Sequence, residues 1–369
     1  MLLLALLAFS SSPMSHAPRP PPKEAQLDRP FFVGDMQHLV PQEKLPFQPS
    51  ETATPVLDEA ATRLYVATHN GKVRCKFHGK DAWVFQAGGN ILAAPALSGE
   101  TLLVPGGDGV LYALNRFTGV VRWKNDIHEE LGSPPTVDAG RVFLMSTEQS
   151  ITAIDIKDGK TIWKFHRDPP GGFTIRGDAR PQVAHGTVFA AFADGTVAAL
   201  DPADGVARWT RPVSGTTGEY LDVDWLDAPE NDSRIYAASS KVGVVALDVV
   251  TGDAVWTANI PGANHVVADG PRIVAGGRGQ VVALDRVTGA QIWKLALEKD
   301  RFPTQPVVVN GLVLVAQDRG PLIGIDAQTG EARGAFDPGS GFSQPVLAVP
   351  GVAYVVSNGG ALFSLGLLP

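Results

Sequence analysis

One phrase recurs along this chain and constrains its fold more than any other feature. It reads Pro-x-Val, a short apolar run, a Gly-containing turn, an apolar stretch ending in Ala-Leu-Asp, then Thr-Gly or Asp-Gly, then Trp. Val281-Val282-Ala283-Leu284-Asp285, followed by Thr288-Gly289 and Trp293, is one intact copy. Others occupy residues 111–123, 151–163, 197–209 and 244–256, and weaker copies occupy residues 73–83, 322–336 and 362–365, which makes eight. Pro55, Pro95, Pro135, Pro181, Pro306 and Pro345 mark six of the eight starts, with a mean spacing of about 41 residues per repeat. A repeat of that length, without helical periodicity, is one four-stranded sheet in a ring of sheets. The expected fold is therefore all-β, an eight-bladed β-propeller with four-stranded antiparallel blades over residues 51–369.

Each part of the phrase has a physical reason. Runs such as Val142-Phe143-Leu144-Met145 and Val313-Leu314-Val315 suit strands covered on both faces by neighbouring blades. Asn70-Gly71, Asp108-Gly109 and Asp194-Gly195 supply the positive φ that tight hairpins need. The Asp-x-x-Thr/Asp-Gly segment reads as the next turn, its Asp bonding nearby backbone. Trp83, Trp123, Trp163, Trp209, Trp256 and Trp293 read as structural anchors that fill the gap between blades; ligand stacking is the alternative. Cys75 stands where other repeats have Ala113, Ala153 and Ala283, so it reads as a small buried strand residue rather than a reactive thiol. The last repeat lacks an outer strand, and an open edge exposes unpaired backbone groups. An N-terminal strand is expected to close the ring. Within residues 18–50, residues 18–30 read as a Pro-rich tether and residues 39–48 as that closing strand.

Composition agrees with many short strands: 40 Gly and 29 Pro supply turns, and 44% apolar residues supply a core. With 31 basic against 38 acidic residues and no basic stripe, nucleic acid is an unexpected partner. A single cysteine excludes an internal disulfide and a Cys-rich zinc site. Residues 1–17 read as a signal peptide, with an apolar run from Leu2 to Phe9 and Ser15-His16-Ala17 at the cleavage site; a mis-assigned start is the alternative. No metal ligands and no catalytic residues are expected. The eight histidines show no helical metal spacing, no Gly-x-Ser-x-Gly elbow exists, and Gly106-Gly107-Asp108-Gly109 and Gly276-Gly277-Arg278-Gly279 lie between strands rather than opening helices.

The phrase resembles the PQQ-like propeller repeat, also called the tryptophan-docking motif, over nearly all of the chain from residue 51. Three segments are similar more narrowly to the BamB family. They are Phe173-Thr174-Ile175-Arg176-Gly177-Asp178-Ala179-Arg180-Pro181, Leu221-Asp222-Val223-Asp224 and Gly341-Phe342-Ser343-Gln344-Pro345. That resemblance implies a non-enzymatic scaffold without cofactor, a monomer within a larger complex, in the periplasm at the inner side of the outer membrane. Its partners would be a BamA-type insertase and unfolded outer-membrane proteins. The implied contacts are Phe173 and Ile175 as apolar contacts, Arg176 as the central polar contact, and Asp222 and Asp224 beside it. An Arg–Asp pair that merely fixes loop geometry is the alternative. The sequence departs from the family in having no lipid-anchoring Cys after the signal peptide, and in the stretch from Trp225 to Asp232, expected to be a polar surface loop that retunes the partner face. Two rival readings remain: an exported propeller that binds another protein or a polysaccharide, and a PQQ-dependent dehydrogenase, which the lone cysteine and the short repeats disfavour.

Overall fold

The computed structural model describes residues 31–39, 53–168, 179–214, 222–298 and 300–367. Thirty-two strands form eight antiparallel four-stranded sheets, with no helix among the described residues. Blades 1 to 7 each use one continuous stretch, residues 56–86, 96–126, 136–166, 182–212, 223–258, 265–296 and 307–336. Blade 8 takes three strands from Leu347–Val349, Val352–Val356 and Ala361–Leu367 and its outer strand from Phe31–His38. Inner strands contact one another between successive blades, and the outer strands face solvent. The eight sheets form an eight-bladed propeller.

Alternating strand direction gives the ring two faces. First-to-second and third-to-outer turns lie on one, the turn face. Second-to-third turns and the links between blades lie on the other, the link face. The second and third strands of the blades are deeply buried; in the third strands of blades 5 and 6, Val244 to Leu247 and Val281 to Leu284 are all at 2% exposure or less. Each such Val or Leu contributes about 1.5–3 kcal/mol when withdrawn from water. Gly71, Gly109 and Gly195 sit in second-to-third turns at φ of 80°, 80° and 81°, as the hairpin dipeptides require. The turn aspartates behave as expected too: Asp248, Asp285 and Asp326 each accept N–H bonds from the residues two and three positions further on.

The tryptophans join each blade to the next. Their Nε1–H groups donate to the carbonyls of Arg116, Ile156, Pro202, Val249, Arg286 and Ala327, at 2.9–3.2 Å. In each case the acceptor immediately follows the turn Asp or Asn of the next blade. The indole lies flat on that blade's turn glycine. A Cβ added at Gly119, Gly159, Gly205, Gly252, Gly289 or Gly330 would meet the ring at 2.5–2.8 Å. Glycine is required there twice over, by this approach and by positive φ. Tyr65, Phe143, Phe189 and Tyr236 back the indoles of their own blades at centroid distances near 6 Å (5.9–6.0 Å). Cys75 is buried opposite Trp83 in the alanine position, and burial pushes its thiol pKa up.

Two expectations need correction. The closing strand is Phe31–His38, not residues 39–48. Of the predicted segment only Leu39 is described, and its N–H bonds the Gly360 carbonyl just past the ladder. The reason is donor count: Pro41 and Pro46 of the expected segment cannot donate to a ladder, while residues 31–38 contain no proline. Gly34 also reproduces the outer-strand bulge found in every other blade. The stretch from Trp225 to Asp232 is not a polar surface loop. Trp225 and Leu226 are buried in the inner strand Val223–Asp227. The residues after it form a first-to-second turn, on the turn face. There Asp232 is buried against Arg286 (2.6 Å), Arg234 (3.1 Å) and the Tyr236 hydroxyl. Burial works to raise its pKa, and Tyr236 and the two guanidiniums outweigh it, so the carboxyl lies below its usual value.

Candidate functional site

Sequence reasoning placed the partner contacts on links that lie on one face. Phe173, Ile175 and Arg176 lie outside the described residues, in the chain between the outer strand Thr161–His166 and the inner strand Gln182–Ala184. Asp222 and Asp224 are described, at the start of the blade 5 inner strand. They differ in setting. Asp222 is 1% exposed. Asp224 reaches the surface, and its Oδ2 accepts the Ser240 N–H at 3.1 Å, which ties the inner strand to the second-to-third turn of its own blade.

Asp224 also lines a groove of about 690 Å3 between blades 5 and 6. Four separate connections of the link face build it. Ser240 and Lys241 come from the blade 5 turn, residues 259–264 from the link between the blades, Arg278 from the blade 6 turn, and Phe302 from the link to blade 7. Backbone bonds lock these connections together. Gly262 N–H donates to Ser240 O (3.2 Å), Arg278 N–H to Pro261 O (3.0 Å), and Gly279 N–H to Arg301 O (2.8 Å). Gly262 sits at φ 66°, and a Cβ there would meet the Arg278 side chain at 2.8 Å. The Arg278 guanidinium lies 5.4 Å from the centre of the Phe302 ring, and Phe302 is 38% exposed. A cation resting on an exposed aromatic ring, in a groove that Lys241 and Asp224 also line, offers one apolar plate and charges of both signs. That set suits a polypeptide with acidic and apolar side chains.

Beneath the groove, His265 packs its ring 5.0 Å from Trp225. The residue is only half-buried, yet its Nδ1 is shut off from water without a partner. Burial lowers its pKa to about 4, against the raising effect of a bond to the Pro303 carbonyl, so the ring is neutral at pH 7.

Lys241, Arg278 and Phe302 were missed from sequence. The one available signal was the Gly276-Gly277-Arg278-Gly279 stretch, which reads as turn glycines and holds an arginine at its tip. A second constellation was also missed. Ser150 Oγ lies 2.9 Å from His166 Nδ1, and His166 Nε2 lies 3.5 Å from Asp168. This is not a nucleophile arrangement. Ser150 is fully buried and shares Glu129 with Ser146 and Lys164. Burial would raise the Glu129 pKa, but Lys164 and the two hydroxyls hold it below the usual value. The group ties neighbouring strands together and offers no substrate access. Among the described residues, no group of three His, Cys, Asp or Glu is placed to hold a metal ion.

The family model described as outer membrane protein assembly factor BamB matches residues 61–294 and 240–365. The protein of that name from Bordetella pertussis is 28% identical over 308 residues, 80% of this chain and 79% of the relative. That from Yersinia pestis is 28% identical over 259 residues, 68% of this chain, so the match spans just under two thirds (65%) of that relative. Among solved structures, BamB from Moraxella catarrhalis superposes with a TM-score of 0.79 at 22% identity, covering 91% of this chain and 99% of that one. The quinohemoprotein alcohol dehydrogenase of Comamonas testosteroni gives 0.74 at 14% identity, covering 93% and 78%; at these identities both likenesses speak for the fold alone. With its repeats matched from residue 61 to residue 365, the chain belongs to the family of outer membrane protein assembly factor BamB.

Proposed function

We propose that this chain is a non-enzymatic scaffold of the machinery that assembles outer-membrane proteins. It works in the periplasm, at the inner side of the outer membrane. It binds a BamA-type insertase through the link face and assists insertion of unfolded outer-membrane proteins. The family match from residue 61 to residue 365 carries this reading. The link face supports it, because a rigid ring holds loops from several blades in fixed relation. Arg176 from the link before blade 4 and Asp222 and Asp224 at the start of blade 5 enter adjacent blades, and the groove continues that surface to Lys241, Arg278 and Phe302. Arg176 acts as the central polar contact, with Phe173 and Ile175 as its apolar neighbours.

The test is a pull-down of the insertase's periplasmic domains from the same organism. Wild type is compared with Arg176→Glu and with the double variant Lys241→Glu, Arg278→Glu. Retention by wild type, and at least tenfold weaker retention by both variants at unchanged melting temperature, is the expected result. No retention by folded wild type would remove the insertase and leave a propeller for another protein or a polysaccharide.

A further inference from the structure

Six of the eight blade junctions are filled by an indole, and two are not. In blade 7, Gly334 stands opposite Gly324, in the tryptophan position. The next blade takes its outer strand from the N-terminal segment and so has no third-to-outer turn on which an indole could rest. The junction of blade 8 with blade 1 is different, because there the receiving turn exists. Its outer strand carries Asp35 opposite Ser364, the register in which other blades pair Trp with Ala. The turn of blade 1 presents Gly79 at φ 75°, matching the docking glycines. A Cβ added at Gly79 would meet nothing closer than the Gln37 amide at 3.6 Å, whereas at the six filled junctions it strikes the ring. Tyr354, the counterpart of Tyr65 in register, stands ready on the other side. The result is a pocket of about 280 Å3 between Asp35, Gly79 and Tyr354, with Leu64 and Leu362 in its apolar lining. That is many times the ~30 Å3 a water molecule takes up in the liquid.

We propose that this pocket is a binding site for the indole side chain of a partner polypeptide, which occupies it as the protein's own tryptophans occupy the other six docks. The recognition elements are all in place. Gly79 offers a flat backbone surface, Tyr354 an aromatic wall, and the leucines a dry floor. The third-to-outer turn of blade 1 is short, with only His78 and Gly79 between its strands, so the acceptor for an indole N–H there is the Gly79 carbonyl or the Asp35 carboxylate. Gln37 already donates to the Gly79 carbonyl at 3.1 Å and to Asp35 at 2.8 Å, so polar bonding reaches this spot. Asp35 adds a carboxylate at the rim, which favours an N–H donor over an acidic segment. The pocket opens on the turn face, opposite the groove of Lys241 and Arg278. It therefore stands independently of the insertase reading.

The experiment is calorimetric titration of the whole protein with N-acetyl-L-tryptophanamide, with N-acetyl-L-leucinamide as control. Wild type is expected to bind the first saturably and the second at least tenfold more weakly. Asp35→Trp supplies the missing indole from within; it is expected to abolish binding and to raise the melting temperature. Gln37→Ala keeps the outer-strand backbone pairing, removes the amide that bonds the Gly79 carbonyl, and is expected to tighten binding severalfold at an unchanged melting temperature. Absence of saturable binding by wild type, retention of binding by folded Asp35→Trp, or unchanged affinity in Gln37→Ala would each overturn the assignment.

Discussion

Gly205 and Gly79 form a matched pair that isolates what docking an indole contributes. Both sit in third-to-outer turns at φ 75°. An alanine in that left-handed conformation loses about 1–2 kcal/mol at either place. Beyond that strain the sites differ. At Gly79 the new methyl meets only the far end of Gln37, at an ordinary contact distance. At Gly205 it lies 2.7 Å from Cδ2 and Cε3 of Trp163, which is 8% exposed and bonded through Nε1 to Pro202. Carbon atoms settle at about 3.5–4.0 Å, so the ring must retreat by about 1 Å within a packed interface. Overpacking of that kind adds about 1–3 kcal/mol. Gly79→Ala should therefore destabilise by about 1–2 kcal/mol and Gly205→Ala by about 2–5 kcal/mol. Urea unfolding, followed by tryptophan fluorescence and far-UV circular dichroism on both variants, measures the difference. Equal losses would refute the argument that the indole–glycine contact holds the blades together.

Other expectations follow from the same contacts. Trp293→Phe keeps an apolar ring but loses the bond to the Ala327 carbonyl, and should lower the urea midpoint by the equivalent of about 1 kcal/mol or more; an unchanged midpoint would make that bond neutral. Deleting residues 31–39 leaves Ala361–Leu367 as an open edge, so the shortened protein should associate in size-exclusion chromatography and melt lower, whereas a monomer with an unchanged melt would remove the closing role. The folded pKa of His265, about 4, lies below the ordinary 6.5, so the unfolded chain binds the extra proton between these values. Stability should fall as pH drops through that window, by on the order of 3 kcal/mol, and His265→Phe should lack this part of the slope; parallel pH profiles would contradict it. Added PQQ with calcium should give neither dye reduction nor a change in melting temperature, and either response would revive the dehydrogenase reading.

The blades were legible because the repeat carries its own punctuation. Turn glycines, Ala-Leu-Asp runs and tryptophans recur where the same backbone conformation recurs, so one physical rule accounts for many positions. The closing strand was misplaced for the opposite reason. Residues 31–38 complete a blade without the repeat's markers: Asp35 replaces the tryptophan, and no Thr-Gly or Asp-Gly pair precedes it in the sequence. Proline positions would have separated the two candidate segments. The buried setting of Asp232 was hidden because its partner Arg286 lies in the next blade. The groove was invisible because Asp224 comes from a strand and Lys241, Arg278 and Phe302 from three separate connections, and only closed blades bring them to one surface. Arg176 and its neighbours rest on family resemblance, whereas Asp224 is described and lines the groove.

The pairing of Phe31 with Leu367 puts the two ends of the ring side by side. During synthesis, seven blades can form in order from local hairpins, but the eighth waits for a partner more than three hundred residues away. That final step is slow by topology, because closing so large a loop must precede any gain from pairing. Until it happens, both flanks of the ring are unpaired, which is a reason for such a chain to need shelter early in its life. The same adjacency makes the order of blades negotiable. Joining Leu367 to Phe31 by a two-residue hairpin and opening the chain at another link would give a circular permutant with eight contiguous blades, and its refolding rate would report how much of the folding time the original arrangement spends on closure.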